Sequence, residues 1–155
     1  MVTSPRRERG AALFAALLFA VAMAALLAAM GKLWEDRSQR ERERDLLWGG
    51  RQFKKALERY AAATPAGQIP APSRVEELLQ DDRAEPLQRH LRRIPLDPMT
   101  GTFNWEFVRD AQGRIAGVHS SSNAKPLPAD GLWPEPRVFE GTTSYGQWVF
   151  RPTGR

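Results

Sequence analysis

The pattern of apolar and polar positions divides the chain into three parts. Residues 11–31 are apolar on every side of a helix and carry no charged side chain. Residues 32–63 lack proline and are rich in Glu, Arg, Lys, Leu and Ala, which predicts a second helical stretch nearly continuous with the first. Proline and glycine interrupt the chain after residue 64, and shorter elements follow. The pattern predicts a long N-terminal helix that leads into a small head.

The apolar stretch is long enough to cross a membrane. Twenty-one residues of helix rise about 31 Å, the thickness of a bilayer core. Arg6, Arg7 and Arg9 precede it against a single Glu8, and this bias favours a cytoplasmic N-terminus. The side chains expected in the membrane are Leu13, Phe14, Ala15, Leu17, Leu18, Phe19, Leu26 and Leu27.

The second helical stretch has one apolar face. Leu46, Phe53, Leu57 and Tyr60 follow one another at spacings of seven, four and three, so they share a side of the helix. Residues 35–45 show no apolar face and are expected to be an exposed stalk. Adjacent glycines at positions 49 and 50 predict a kink or break.

The head is predicted to be α+β. Two short helices are expected at 74–81 and 85–92, followed by a turn at 96–101. Alternating apolar positions then predict strands at 103–109, 114–119 and 147–150, giving a three-stranded antiparallel sheet. So small a sheet needs support, and we expect it to pack on the apolar face of the second helical stretch. The predicted head core is Trp105, Phe107, Ile115, Val118, Trp148 and Phe150.

The beginning of the chain resembles the leader of type IV pilins. In that pattern a short basic peptide ends in glycine, here Gly10, and the apolar helix starts at the next residue, here Ala11. The order of membrane helix, stalk and head resembles type IV pilins and the pseudopilins of type II secretion systems. The head is similar to that of the major pseudopilin, in which a turn here formed by Pro95, Asp97, Pro98 and Gly101 precedes two strands.

This resemblance implies a fold and a role. It implies a leader at 1–10 removed by a prepilin peptidase, a transmembrane helix at 11–31, a periplasmic stalk at 32–63 and a head at 64–155. The mature N-terminus would be methylated, and the chain would lie in the inner membrane with its head in the periplasm. Its partners would be other pilin-like subunits and an inner-membrane assembly platform. The function implied is that of a structural filament subunit, not an enzyme.

The chain departs from the family at Ala15. Pilin-like proteins usually carry a glutamate there, which meets the N-terminal amine of a neighbouring subunit, and members without it are typically minor or tip subunits. Two other interpretations stay open. A signal peptide cut near residues 28–30, or a plain uncut anchor, would make this a secreted or membrane-anchored periplasmic binding domain.

The composition excludes several kinds of functional site. The 155 residues include no cysteine and two histidines, which excludes disulfides, thiolate metal sites and sites with several histidine ligands. His119 precedes Ser120, but neighbouring residues on a strand point to opposite faces, so no nucleophile–base pair is expected. His90 lies among arginines in the second predicted short helix and is expected to be exposed.

The remaining candidate ligand is calcium. The resemblance implies a calcium loop, for which Asp97 and Asp130 are the candidate residues, although turn capping is the favoured role of Asp97. No other cofactor is expected. The formal net charge is +5, but basic and acidic residues are interleaved and no concentrated basic patch with aromatic residues is found in the sequence, so no nucleic acid partner is expected.

Overall fold

The computed structural model describes residues 5–83, 86–128, 139 and 141–153, with only the backbone described at 5–9. The chain divides into two compact units, Met1–Gln39 and Arg40–Arg155. The first helix, α1, spans Pro5–Ala62, so the second unit includes the last part of this helix.

The first unit is helical over its described residues. Every residue at 10–35 is exposed, because the described residues of this unit form no other element against which an apolar side chain can pack. The prediction of a long, apolar N-terminal helix is confirmed.

The part of α1 in the second unit is continuous and amphipathic. Leu46, Phe53, Leu57 and Tyr60 are all buried on one side. The predicted break at the two glycines is wrong, since α1 runs through both of them.

The head is α+β, as predicted, with a small antiparallel sheet. A four-residue helix, α2 (Glu76–Leu79), precedes two strands, β1 (Trp105–Arg109) and β2 (Ile115–Ser120), and a 3-10 helix follows at Tyr145–Gln147. The strands pair with Trp105 opposite Ser120 and Phe107 opposite Val118. Gly113 adopts a φ of 75° in the connecting turn, a conformation that favours glycine.

The predicted third strand is wrong. The described residues form a two-stranded sheet, and Phe150 adds only an isolated bridge to Val118. The backbone N–H groups of Trp148 and Val149 donate to Tyr145 and Gln147 in a tight turn, so they do not pair with β2. Pro152 then lacks an N–H, which prevents the ladder from continuing at that position.

The predicted short helices are also corrected. The first spans four residues instead of eight, and residues 86–92 contain no helix. Gln88 instead forms a bridge with Asp81, while the N–H groups of His90 and Leu91 both donate to the carbonyl of Leu78. These longer-range bonds use the backbone donors that a helix would need.

One core cluster joins α1 to the head within the second unit. Trp105, Ile115, Val118 and Phe150 are buried in it, whereas Phe107 and Trp148 are partly buried and pack against it. The other buried members are Leu46, Leu47, Phe53, Ala56, Leu57, Tyr60, Leu78, Leu91 and Tyr145.

Candidate functional site

The exposed apolar segment of α1 is the first candidate site. Its most apolar 18-residue window has a mean hydropathy of 2.6, and none of that window is buried. Each large apolar side chain left in water forgoes about 1.5–3 kcal/mol of burial free energy. The segment is long and apolar enough to cross a membrane.

The structure places every predicted membrane residue in this segment. Leu13 is 73% exposed and Phe14 is 62% exposed. Gly10 and Ala11, the predicted cleavage pair, lie on the same helix and are exposed, and a Cβ at Gly10 would meet nothing within 4 Å. The remaining predicted residues are also exposed: Ala15, Leu17, Leu18, Phe19, Leu26 and Leu27.

A buried carboxylate ties the C-terminal half of the head to α1. Glu43 is only 2% exposed, and its Oε1 accepts hydrogen bonds from the Leu127 N–H at 3.0 Å and the Tyr145 hydroxyl at 2.8 Å. The prediction that residues 35–45 form an exposed stalk is therefore wrong for Glu43. The missed signal is spacing, because Glu43 precedes Leu46 by three residues and so shares its face of the helix.

The two glycines of α1 provide close contact with aromatic rings. A Cβ at Gly49 would lie 3.2 Å from the Trp105 ring, and a Cβ at Gly50 would overlap the ring of Phe150. The Trp105 indole N–H donates to the Pro95 carbonyl at 2.8 Å, which fixes the ring in place. The glycines therefore act in packing, where the sequence suggested a break in the helix.

A polar cluster holds the end of α1. The Tyr60 hydroxyl donates to Glu77 at 2.7 Å, and the Arg83 guanidinium lies 3.6 Å from the centre of the Tyr60 ring. Asp81 accepts from Arg83 at 2.8 Å and lies 2.9 Å from Nε2 of His90. His90 is buried, so the prediction that it is exposed on a basic helix is wrong.

Hydrogen bonds and burial determine the ionisation states of the side chains in this cluster. Hydrogen bonding from Arg83, together with His90, holds the pKa of Asp81 well below its usual range. Burial and the neighbouring Glu77 raise the pKa of Tyr60 to about 12. At neutral pH Asp81 is ionised and Tyr60 is neutral, and both act as partners in a structural network.

Asp97 does not fit the role of a calcium ligand. It is fully buried, its Oδ1 accepts the Met99 N–H at 2.9 Å, and its Oδ2 accepts the Ser120 hydroxyl at 2.7 Å. Both carboxylate oxygens therefore accept hydrogen bonds from the turn and from the end of β2. Asp130, the other candidate, lies outside the described residues, among which no group of three or more His, Cys, Asp or Glu is placed to hold a metal.

His119 and Ser120 do not face each other. The Nδ1 atom of His119 lies 2.9 Å from the Ser120 carbonyl oxygen, and its Nε2 atom lies 3.7 Å from Oε2 of Glu106. The Ser120 hydroxyl instead donates to Asp97. The pair is separated as expected for adjacent residues on a strand.

Comparison with protein families, with curated proteins and with solved structures finds no match for this chain.

Proposed function

We propose that this protein is a pilin-like structural subunit of a type II secretion or type IV pilus-related assembly. It lies in the inner membrane as a single span, with the N-terminus in the cytoplasm and the head in the periplasm. It works by packing its apolar helix against the helices of other pilin-like subunits. The proposal assigns it no catalytic role.

The observation that carries the proposal is the complete exposure of the apolar segment. Residues 11–31 are exposed throughout, so their apolar surface is available to lipid or to other helices. Small residues dominate the segment, and alanines allow helices to approach closely in a membrane.

A second observation supports the proposal. α1 is one helix from Pro5 to Ala62, and its last part carries core side chains of the head. A helix that contributes both an apolar segment and the core of a head suits a subunit that an assembly platform moves as a whole. Ala15 offers no carboxylate for a neighbouring amine, so in this proposal subunits associate through apolar packing at that position.

The mature N-terminus tests the proposal. Intact-mass and N-terminal peptide mass spectrometry of the membrane fraction should find a chain that begins at a methylated Ala11. A chain that begins near Gly31 would identify a conventional signal peptide and overturn the proposal. A chain that still begins at Met1 would identify a plain anchor and would also overturn it.

Two glycines provide a matched pair of variants for the same experiment. A Cβ at Gly10 or at Gly31 would meet nothing within 4 Å, so both positions are open to a side chain. Gly10→Leu should abolish processing by a prepilin peptidase, whereas Gly31→Leu should leave the cut after Gly10 unchanged. The reverse result would indicate a signal peptidase.

A further inference from the structure

A groove beside the last part of α1 has no role in the proposed assembly. It has a volume of about 620 Å³, and one wall is formed by Trp48, Gln52 and Arg59 of α1. The segment from His90 to Pro95 forms the opposite wall. A neighbouring depression of about 480 Å³ shares Arg59 and His90 with it and extends the surface to Arg89.

The charged side chains on this surface are all positive. Arg59, Arg89, Arg92 and Arg93 are all exposed, and within the described ranges no carboxylate lines the groove or forms an ion pair with any of the four. Unpaired guanidinium groups are planar and present donors that match carboxylates in pairs. The groove is therefore suited to an anionic partner.

The groove also offers apolar contact. Trp48 is 56% exposed although its helix neighbours Leu47 and Gly49 are buried, so its ring is available to a partner. Leu91 and Pro95 also line the groove but are buried, so Trp48 provides its exposed apolar surface. An exposed tryptophan beside arginines is the combination that dominates binding at many protein interfaces.

We propose that this groove binds an acidic polypeptide segment that also carries apolar side chains. A single exposed aromatic ring gives only one place for a nucleobase to stack, whereas single-stranded nucleic acid binding uses several. Aliphatic side chains of a peptide suit the exposed ring of Trp48, and its carboxylates suit the four arginines. This inference does not depend on the proposed function.

A second basic groove on the same unit provides the comparison. Arg51, Lys54, Lys55 and Arg151 line it together with Glu58, which accepts the backbone N–H of Thr153 at 3.0 Å. It therefore has a similar number of cations, but it includes a carboxylate and is bordered by the C-terminal segment. Removing cations from this groove tests whether net charge alone accounts for binding.

The test uses the full chain in nanodiscs of zwitterionic lipid. The probe is a fluorescent amphipathic peptide of about 14 residues, which is about 21 Å long as a helix and has glutamates on one face and leucines on the other. Fluorescence anisotropy should show saturable binding of this peptide. Its glutamine analogue and a single-stranded thymidine oligonucleotide of similar length should bind at least about tenfold more weakly.

Variants locate the binding. Arg92→Ser with Arg93→Ser should weaken peptide binding about tenfold, and Trp48→Ser should weaken it about fivefold. The matched variant Lys54→Ser with Lys55→Ser should change it less than twofold. Equal loss from both double variants, equal binding of the glutamine analogue, or tighter binding of the oligonucleotide would each overturn the proposal, as would absence of peptide binding.

Discussion

Two stretches of the same helix differ in what surrounds them. Residues 11–31 are apolar on every side and exposed throughout. Residues 40–62 carry charge on one side and bury the other, with Phe53, Leu57 and Tyr60 at most 3% exposed. One regular backbone conformation therefore serves two environments, and the side chains decide which environment each part requires.

The comparison separates two sources of stability. The second stretch is stabilised by contacts within its own chain, so its stability can be measured in the isolated protein. The first stretch is exposed throughout, and in the proposed function its apolar surface is stabilised by lipid or by other helices. Substitutions in the two stretches should accordingly change different measurements.

The largest effect is expected from charge in the first stretch. Leu18→Arg together with Ala22→Arg places two guanidinium groups near the centre of the apolar segment, at a cost of about 5–7 kcal/mol for membrane insertion. The double variant should be lost from the membrane fraction that resists alkaline carbonate extraction. Ile69→Arg with Leu87→Arg is the control, because both positions are exposed in the head and should leave membrane retention unchanged. Full retention of the first variant would contradict a transmembrane role.

A large effect on the free energy of unfolding of the head is expected from substitution of Phe53. Its ring lies 5.2 Å from that of Trp105 and 6.2 Å from that of Phe107, and the side chain is 1% exposed. Phe53→Ala should lower the free energy of unfolding of the head by about 3–5 kcal/mol, measured by urea unfolding and near-UV circular dichroism in micelles. Phe103→Ala removes the same atoms from a ring that is 63% exposed and should cost less than about 0.5 kcal/mol. Similar losses from the two variants would show that the ring contacts of Phe53 are not what stabilises the head.

A smaller effect is expected at Glu43. Glu43→Ala removes the carboxylate that accepts from the Leu127 N–H and the Tyr145 hydroxyl and should lower the free energy of unfolding by about 2–3 kcal/mol. Glu43→Gln keeps an oxygen in place and should recover part of that loss, while the exposed Glu41→Ala should have little effect. Urea unfolding distinguishes the three variants. An unchanged free energy of unfolding in Glu43→Ala would show that this contact does not stabilise the head.

The smallest effect is expected from pH. The pKa of Asp81 is lower in the folded protein than in the unfolded chain, so its contribution is complete above pH 4 and decreases as the pH falls toward the folded pKa. Asp81→Asn should cost about 1–2 kcal/mol at pH 7 and should reduce the loss of stability between pH 5 and pH 2.5. Asp82→Asn, at an exposed neighbour, should leave that pH dependence unchanged. Unfolding midpoints across this pH range provide the measurement, and an unchanged slope in Asp81→Asn would contradict the assignment.

The sequence predicted those parts of the fold in which a pattern is local. The apolar helix was confirmed, and an α+β head with a small antiparallel sheet was found. The third strand was wrong because alternation at residues 147–150 says nothing about where their backbone N–H groups donate. His90 was misplaced because its partner, Asp81, lies nine residues away and its own neighbours are basic.

The spacing of residues along α1 indicates part of its packing face, although two of the positions on that face are not apolar. Positions 43, 46, 50, 53, 57 and 60 alternate spacings of three and four, as in a regular packing face. A glutamate and a glycine occupy two of these positions, so an apolar pattern does not reveal them. Burial of Glu43 depends on Leu127 and Tyr145, and the role of Gly50 depends on Phe150, so neither could be read from the helix alone.

The contact of Gly50 with Phe150 also has a consequence for the order of events during synthesis. Tyr145 and Glu43 are separated by 102 positions, and Phe150 reaches Gly50 over a similar length of chain. The apolar face of α1 is synthesised first, and the rings of Tyr145 and Phe150 that contact it are synthesised much later. Contacts between such distant positions form slowly, and until they form the face is a surface for aggregation. Truncation before Tyr145 should therefore leave a chain that lacks these rings and cannot close this core.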